Sequence, residues 1–374
     1  MIGGLLAAGL LAVGVAAPTT AEPRANGTAS IIYTDESQTY PFYDSSFAAP
    51  GATPIIGDFV GDIGPTGSLD DILWYTPGAG GDALWRSAGD RTFVPSSISV
   101  NGNFQPLVGY FGGDYKQDIL WYAPGSGQDV LWDFELDGSI TKTNLSIGGT
   151  YKPIVGYFTD DGREDIIWYA PGTAADSWWN FKEGGYVTKP ININGNFQPL
   201  VGSFAGSGSP TFDYVQDIIW YAPGTAADSL WNFKGAAGTI TSTPLTINGT
   251  FTPIPGDFTH DGFNDVIWYT PGTGQDHLWN FTNATGGKTS TPLTINGTYT
   301  PIADNIYDQS NHQTDVLWFA PGGAPDSIWD FQNGSNYVTR PISVNGTKKP
   351  ALGVFQAITY QGSSQRGADV VQQY

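Results

Sequence analysis

The chain has 374 residues and carries 35 Asp plus Glu against 15 Lys plus Arg, a net charge of −20. Such a charge repels phosphate backbones and anionic membrane surfaces, which excludes nucleic acid as an expected partner. The 50 Gly, 26 Pro and 14% aromatic residues suit short strands joined by tight turns, and the lack of any cysteine excludes disulfides and thiolate metal sites.

Met1 to Ala17 is apolar and rich in small residues, and Pro-Thr-Thr-Ala-Glu follows it. Residues 1–21 therefore read as a secretory signal peptide with cleavage near Ala21, so the mature protein is expected to be extracellular. The positively charged start of such a leader is missing, and a retained membrane anchor is the rival reading. No later segment is apolar enough to span a bilayer, so no stable membrane insertion is expected after cleavage. Residues 22–28 form a polar linker. Ser30 to Tyr33 and Thr39 to Tyr43 then look like two short strands that match no complete repeat.

From about residue 53 to 350 one phrase recurs six times: Asp, two aliphatics, Trp, an aromatic, any residue, Pro-Gly, three variable residues, Asp, any, apolar, Trp. Its first Trp residues are Trp74, Trp121, Trp168, Trp220, Trp268 and Trp318, spaced 47 to 52 apart, and its second are Trp85, Trp132, Trp179, Trp231, Trp279 and Trp329. The phrase reads as a β-hairpin, because alternating aliphatic and aromatic residues suit a half-buried strand and Pro-Gly punctuates it. A hairpin symmetric about its loop places Trp268 directly opposite Trp279 as a cross-strand pair.

Before each hairpin stands Pro-Ile/Leu-x-Gly-x-Phe or a close variant, and after it a Thr-rich alternating strand such as Ile240 to Ile247. Four strands per repeat of this length predict a propeller blade. Pro350 to Phe355 and Ala368 to Tyr374 repeat the first two strands, with Gln372 where Trp is expected. The expected fold is therefore an all-β, seven-bladed β-propeller over residues 29–374. Six blades come from the repeats, and a composite seventh comes from 29–50 and 350–374. Asn-Gly steps such as Asn248-Gly249 normally mark tight hairpins. Here they fall where one blade crosses to the next, and left-handed backbone is expected there.

The segment Gly256-Asp257-Phe258-Thr259-His260-Asp261-Gly262-Phe263-Asn264-Asp265 resembles the FG-GAP or VCBS repeat, whose propellers include the integrin α-subunit head and some fungal lectins. The resemblance extends in pattern over about residues 53 to 374 and suggests a secreted bacterial type. It implies that this loop holds Ca²⁺ through Asp257, Thr259, Asp261 and Asp265 with the carbonyl of Phe263. Independently, Ca²⁺ takes six to eight oxygens, and Gly262 permits the turn after the third ligand. Thr259 stands where the family has Asn or Asp, and the other repeats depart further.

The repeated Asp residues occur in repeats that lack the other ligands, so they are expected to hydrogen-bond turn amides. The twelve Trp residues are expected mainly to pack blades, while exposed indole faces can stack on sugar rings, making them candidate ligand-binding residues. No catalytic residue is assigned: cysteine is missing, and His260 and His312 fall on one face of the disc while His277 falls on the other. The expected function is a secreted, non-catalytic binder of a glycan or a protein surface, lectin-like, with a calcium loop. The alternatives are a polysaccharide hydrolase or lyase on a propeller scaffold, and a structural or adhesive module. The loops Val60 to Asp70 and Ala205 to Tyr214 break the repeat and are where a singular function is to be sought.

Overall fold

The computed structural model describes residues 52–353 apart from gaps at 62–68, 79, 89–91, 126, 174, 207–214, 273, 284, 307–312, 322–324 and 345–349. Outside that span it gives the backbone of strands Thr28–Tyr33, Phe42–Ala48, Ile358–Tyr360, Ser363–Gln365 and Asp369–Gln373. The expected signal peptide, most of the linker, most of both repeat-breaking loops and His312 lie outside the described residues.

Each repeat folds as a four-stranded antiparallel sheet in sequence order. In the fifth, the inner strand Thr252–Gly256 pairs with Asp265–Tyr269, that with Asp276–Phe281, and that with the outer strand Lys288–Leu293. The second strand of every repeat is buried at all five positions. Its side chains alternate between the sheet's two faces, so complete burial requires a neighbour on both, which stacked blades supply. Outer strands such as Lys288–Leu293 are mostly exposed, which accounts for their Thr and Lys content.

The expectation of seven blades is corrected: the propeller has six, spanning 53–98, 105–145, 152–191, 198–245, 252–293 and 300–342. The two ends of the chain instead form a terminal sheet, in which Phe42–Ala48, Thr28–Tyr33, Asp369–Gln373 and Pro350–Gly353 lie side by side. Its strand Pro350–Gly353 lies near the inner strands of blades six and one. This sheet does not carry the repeat's hardware. Its Asp369-Val370-Val371-Gln372-Gln373 carries Gln372 where each of the six repeats has its first Trp. Counting half-repeats in the sequence treated strand number as sufficient for a blade, whereas the packing of a blade resides in its Trp and Asp residues.

Those Asp residues work as anchors. Asp265 accepts from Phe258 N at 3.0 Å and from Phe281 N at 3.2 Å, tying the first loop to the third strand. Asp276 accepts from Thr270 N at 2.7 Å and from Ile295 N at 2.8 Å, tying the Pro-Gly loop to the crossing into the next blade. Equivalent bonds recur at Asp71, Asp118, Asp82, Asp129, Asp228 and Asp326.

The Asn-Gly crossings are not hairpins because their partner is the preceding Pro-Gly loop. Gly249 N donates to Gly224 O at 2.9 Å, and Gly224 N donates to Gly249 O at 2.7 Å. Gly249 has φ of +148°, the left-handed backbone expected at the crossing and one that essentially only glycine enters. A Cβ there would also meet the Phe251 ring at 2.5 Å. Tyr221 seals the crossing, its hydroxyl donating to Gly249 O and accepting from Phe251 N, both at 2.8 Å.

Candidate functional site

The six first Trp residues are core, at 0 to 2% exposure. Each meets an aromatic of the preceding blade where one is in reach, as Trp268 meets Tyr221 at 5.1 Å and Phe251 at 5.8 Å. The expected directly opposed Trp pair is corrected. Trp279 lies opposite Val266, and Trp268 opposite His277, so the indoles are diagonal neighbours on one face. The loop is one residue off the assumed symmetry. The offset lets the rings meet edge to face, at 5.2 Å and 68° in blade five and at 5.1 to 5.6 Å in the other blades. Edge-to-face contact suits the ring quadrupole. The indole N–H of all six first Trp residues is buried without a protein acceptor.

The second Trp residues differ in what covers them. In blades three and six, Tyr186 and Tyr337 lie flat on Trp179 and Trp329, with centroids 4.0 Å apart. Lys142 sits 3.7 Å over Trp132, and Phe93 tilts against Trp85 at 6.1 Å. In blade five the covering group is the Lys288 ammonium, 4.4 Å from the Trp279 ring centre, and burial lowers that lysine's pKa. An ammonium on a flexible stem over a partly exposed indole is held by only about 0.5–1 kcal/mol. It can leave where a stacked tyrosine cannot.

Beside Trp279 a groove of about 190 Å³ opens between blades four and five, lined by Ile247, Asn248, Phe251, Trp268, His277, Trp279 and Ser290. His277 breaks the repeat: the position opposite the first Trp holds Ala83, Val130, Ser177, Ser229 and Ser327 in the other blades. The groove thus combines a half-buried indole, an imidazole and a hydroxyl.

The predicted calcium residues lie on the opposite face of the disc. Asp261 accepts from Phe263 N at 3.0 Å, Gly262 N reaches Asp257 at 3.2 Å, and His260 and Gly262 both have positive φ. Asp257 Oδ1 and Thr259 Oγ1 are buried with no partner, the condition a cation would relieve. Burial first, then the carboxylates of Asp261 and Asp257, push Asp265 up to about 8. Asp257 is also raised, chiefly by burial. This oxygen chemistry fits a hard cation. The carboxylates are nevertheless not gathered: both Asp265 oxygens are taken by backbone amides, and among the described residues no group of three or more His, Asp or Glu is arranged to hold a metal.

Sequence reasoning missed a latch between blades. The residue before the first Asp reaches back to the inner-strand end of the preceding blade through both its backbone and its side chain. Asn264 N donates to Ser203 O at 2.8 Å while Asn264 Oδ1 accepts from Ser203 N at 2.7 Å. Gln117, Glu164, Gln216 and Thr314 do the same toward Asp58, Tyr110, Tyr157 and Asp257. The signal was present as an oxygen-bearing side chain at that position in every repeat. One residue earlier, Lys116 places its ammonium 2.5 Å from Asp58 Oδ1 and 3.2 Å from Val60 O, so a neighbouring blade supplies the cation in the first loop.

No family model matches the chain, and no curated protein matches it. Solved structures do. A lectin of Agrocybe aegerita, described as recognising non-reducing terminal N-acetylglucosamine, superposes with a TM-score of 0.62 at 14% identity, over 85% of this chain and 90% of that one. A Lactobacillus plantarum protein superposes with a TM-score of 0.51 at 13% identity, over 84% of this chain and 98% of that one. At such identities the likeness shows the β-propeller fold, and the FG-GAP or VCBS resemblance rests on the loop pattern alone.

Proposed function

We propose that this chain is an exported, non-catalytic, lectin-like propeller that binds glycan in the groove between blades four and five. The observation that carries the reading is Trp279, a half-buried indole covered by the Lys288 ammonium, beside His277. A sugar's apolar face stacks on an indole, and its hydroxyls require donors and acceptors at the rim. In blades three and six Tyr186 and Tyr337 occupy the equivalent indole faces, and among the described residues blade five alone sets a histidine opposite the first Trp. The specificity of the Agrocybe aegerita lectin supplies the first probe, oligosaccharides ending in N-acetylglucosamine.

Trp279→Ala is expected to weaken binding of such a glycan at least about tenfold, equivalent to about 1.4 kcal/mol. Lys288→Ala, which only uncovers the ring, should leave binding intact or strengthen it. Titration calorimetry of the three proteins tests this, and equal affinity in wild type and Trp279→Ala would remove the groove from consideration.

A second reading, that the Asp257 loop takes Ca²⁺, is favoured by the unpartnered Asp257 Oδ1 and Thr259 Oγ1. Asp257, Thr259, Asp261 and Asp265 would hold the ion with the Phe263 carbonyl, and it would relieve the repulsion among the three carboxylates. Binding only to the native loop stabilises by RT ln(1 + [L]/Kd). Millimolar calcium should therefore raise the melting temperature of the wild type and raise it less in Asp261→Ala. Equal shifts in the two proteins, or no heat of binding on titration, would leave the loop as a turn capped by its own amides.

A further inference from the structure

A second cavity is larger than the Trp groove. It measures about 570 Å³ and lies on the other face, between the first loops of blades two and three, lined by Tyr110, Gly113, Tyr115, Tyr157, Asp161, Gly162 and Arg163. The loop joining the first and second strands of an antiparallel blade and the loop joining the second and third necessarily leave from opposite ends. This cavity and the Trp279 groove therefore open on opposite faces of the disc.

Three features give the cavity the makings of a ligand site. Tyr110 and Tyr157, at the inner-strand ends of adjacent blades, stack with centroids 6.5 Å apart and 26° between planes, forming an aromatic wall. Tyr115 is 86% exposed and sits on left-handed backbone at φ of +69°. The repeat's turn sets that conformation, since Gly162 and Gly262 hold the corresponding place at φ of +79° and +86°, and a tyrosine there costs on the order of 1–3 kcal/mol where glycine does not. Arg163 spends one guanidinium hydrogen bond, Nε to Gly112 O at 3.2 Å, and forms no ion pair among the described residues. Its Nη2 comes so near Gly113 that a Cβ there would stand 2.5 Å from it, so the guanidinium lies along the bare backbone with donors to spare.

The polar groups narrow the ligand class. Asp161 uses one oxygen to accept from Arg163 N at 3.1 Å, leaving further acceptor capacity. The Tyr110 phenol is pushed up to about 12, by burial and then by Asp58, Asp70 and Glu164, so it stays a neutral donor and acceptor. A polyanion meets those carboxylates and a net charge of −20. An organic cation meets Arg163 in the wall. Paired donors and acceptors beside tyrosine faces suit vicinal hydroxyls on a ring with an apolar face.

We propose that Tyr110, Tyr115, Tyr157, Asp161 and Arg163 form a second saccharide site, for a neutral glycan, on the face opposite the Trp279 groove. It stands without the groove. Only its corollary rests on the function proposed above: sites on both faces would let one chain bridge two glycans, with avidity for a glycan-coated surface.

The test is an array of neutral and carboxylated oligosaccharides probed with wild type, Trp279→Ala and the double variant Tyr115→Ala, Arg163→Gln, with circular dichroism to confirm folding. Tyr115 is exposed and Arg163 half-buried, so the double variant should fold. The expected result is a set of neutral glycans bound by wild type and Trp279→Ala and weakened at least tenfold in the double variant. Should the double variant misfold, Tyr115→Phe and Tyr115→Ala alone serve: binding retained by Phe and lost by Ala supports the aromatic wall, and equal binding overturns it. Neutral glycans lost only in Trp279→Ala would overturn this site and uphold the groove. Hits confined to carboxylated glycans would overturn the ligand class, and an array silent for wild type would overturn both sites.

Discussion

Replacing Asp276 with alanine is expected to lower the unfolding free energy by about 3–5 kcal/mol, the largest loss from any single substitution considered for this chain. The residue is fully buried, and its two oxygens accept from Thr270 N at 2.7 Å and Ile295 N at 2.8 Å. Hydrogen bonds to a charged group are worth about 1.5–3 kcal/mol each, and alanine also strands the Ile295 amide in the interior without a partner. The cost is not confined to blade five. Asp276 fastens the Pro-Gly loop to the crossing toward blade six, where Gly272 and Gly297 exchange hydrogen bonds and Tyr269 closes over Gly297. Loosening that crossing also uncovers Trp318, which packs on Tyr269 at 5.2 Å. Urea unfolding followed by tryptophan emission measures the loss. Asp276→Asn, which keeps one carbonyl acceptor, should fall between wild type and alanine. A loss below 1 kcal/mol in Asp276→Ala would mean that the repeated second Asp is not an anchor.

The residues that made this fold legible in sequence are the ones the repeat cannot do without. Asp265, Trp268, Asp276 and Trp279 recur at fixed spacing because each completes a contact that every blade makes, so four-stranded blades, their strand order and the turn-amide role of the Asp residues could be read from one line of text. What could not be read depends on offsets of one or two residues, or on partners from another repeat. The Trp268 to Trp279 pairing shifted because the length of the loop's turn, and not its sequence midpoint, sets register. Pro350 to Gly353 and Asp369 to Gln373 looked like half a blade because their pattern matched, although Gln372 stands where a blade has its first Trp. The Asn264 latch acts between repeats, and a comparison of repeats shows the shared side-chain oxygen at that position without showing its partner in the preceding blade. The same holds for the candidate site. All twelve Trp residues looked alike in sequence, and only the side chain lying on each ring, Tyr186 in one blade and Lys288 in another, separates a filled face from one that a ligand can take.

The protein is expected to be more stable at pH 5 than at pH 8, the reverse of the usual behaviour for carboxylates held in salt bridges. Four of the groups responsible are the first Asp of blades one, two, three and five, and the fifth, Asp304, ends the inner strand of blade six. Asp71 and Asp165 are pushed up to about 7, Asp118 and Asp265 to about 8, and Asp304 to about 6, in every case mainly by burial. Backbone donors such as Val60 N and Ser87 N on Asp71 pull the other way without cancelling it. With folded values above the ordinary 3.8, the native state holds more protons than the unfolded chain between about pH 4 and 8. Stability linked to these groups is therefore fully present below the unfolded value and is lost as pH rises through the folded values. Each tenfold difference in proton affinity between the two states is worth about 1.4 kcal/mol, so several such groups outweigh the small surface effects. The phenols raised in the same way titrate above this window and leave the slope unchanged. Urea midpoints at pH 5, 6, 7 and 8 should fall steadily, and Asp118→Asn, which cannot titrate, should flatten part of the fall. Calcium should act against it at the Asp257 loop, since a cation there replaces the proton on Asp265 and is bound most tightly where that proton has left. Midpoints that rise with pH over this range would show that the backbone amides, and not burial, set the charge of these carboxylates.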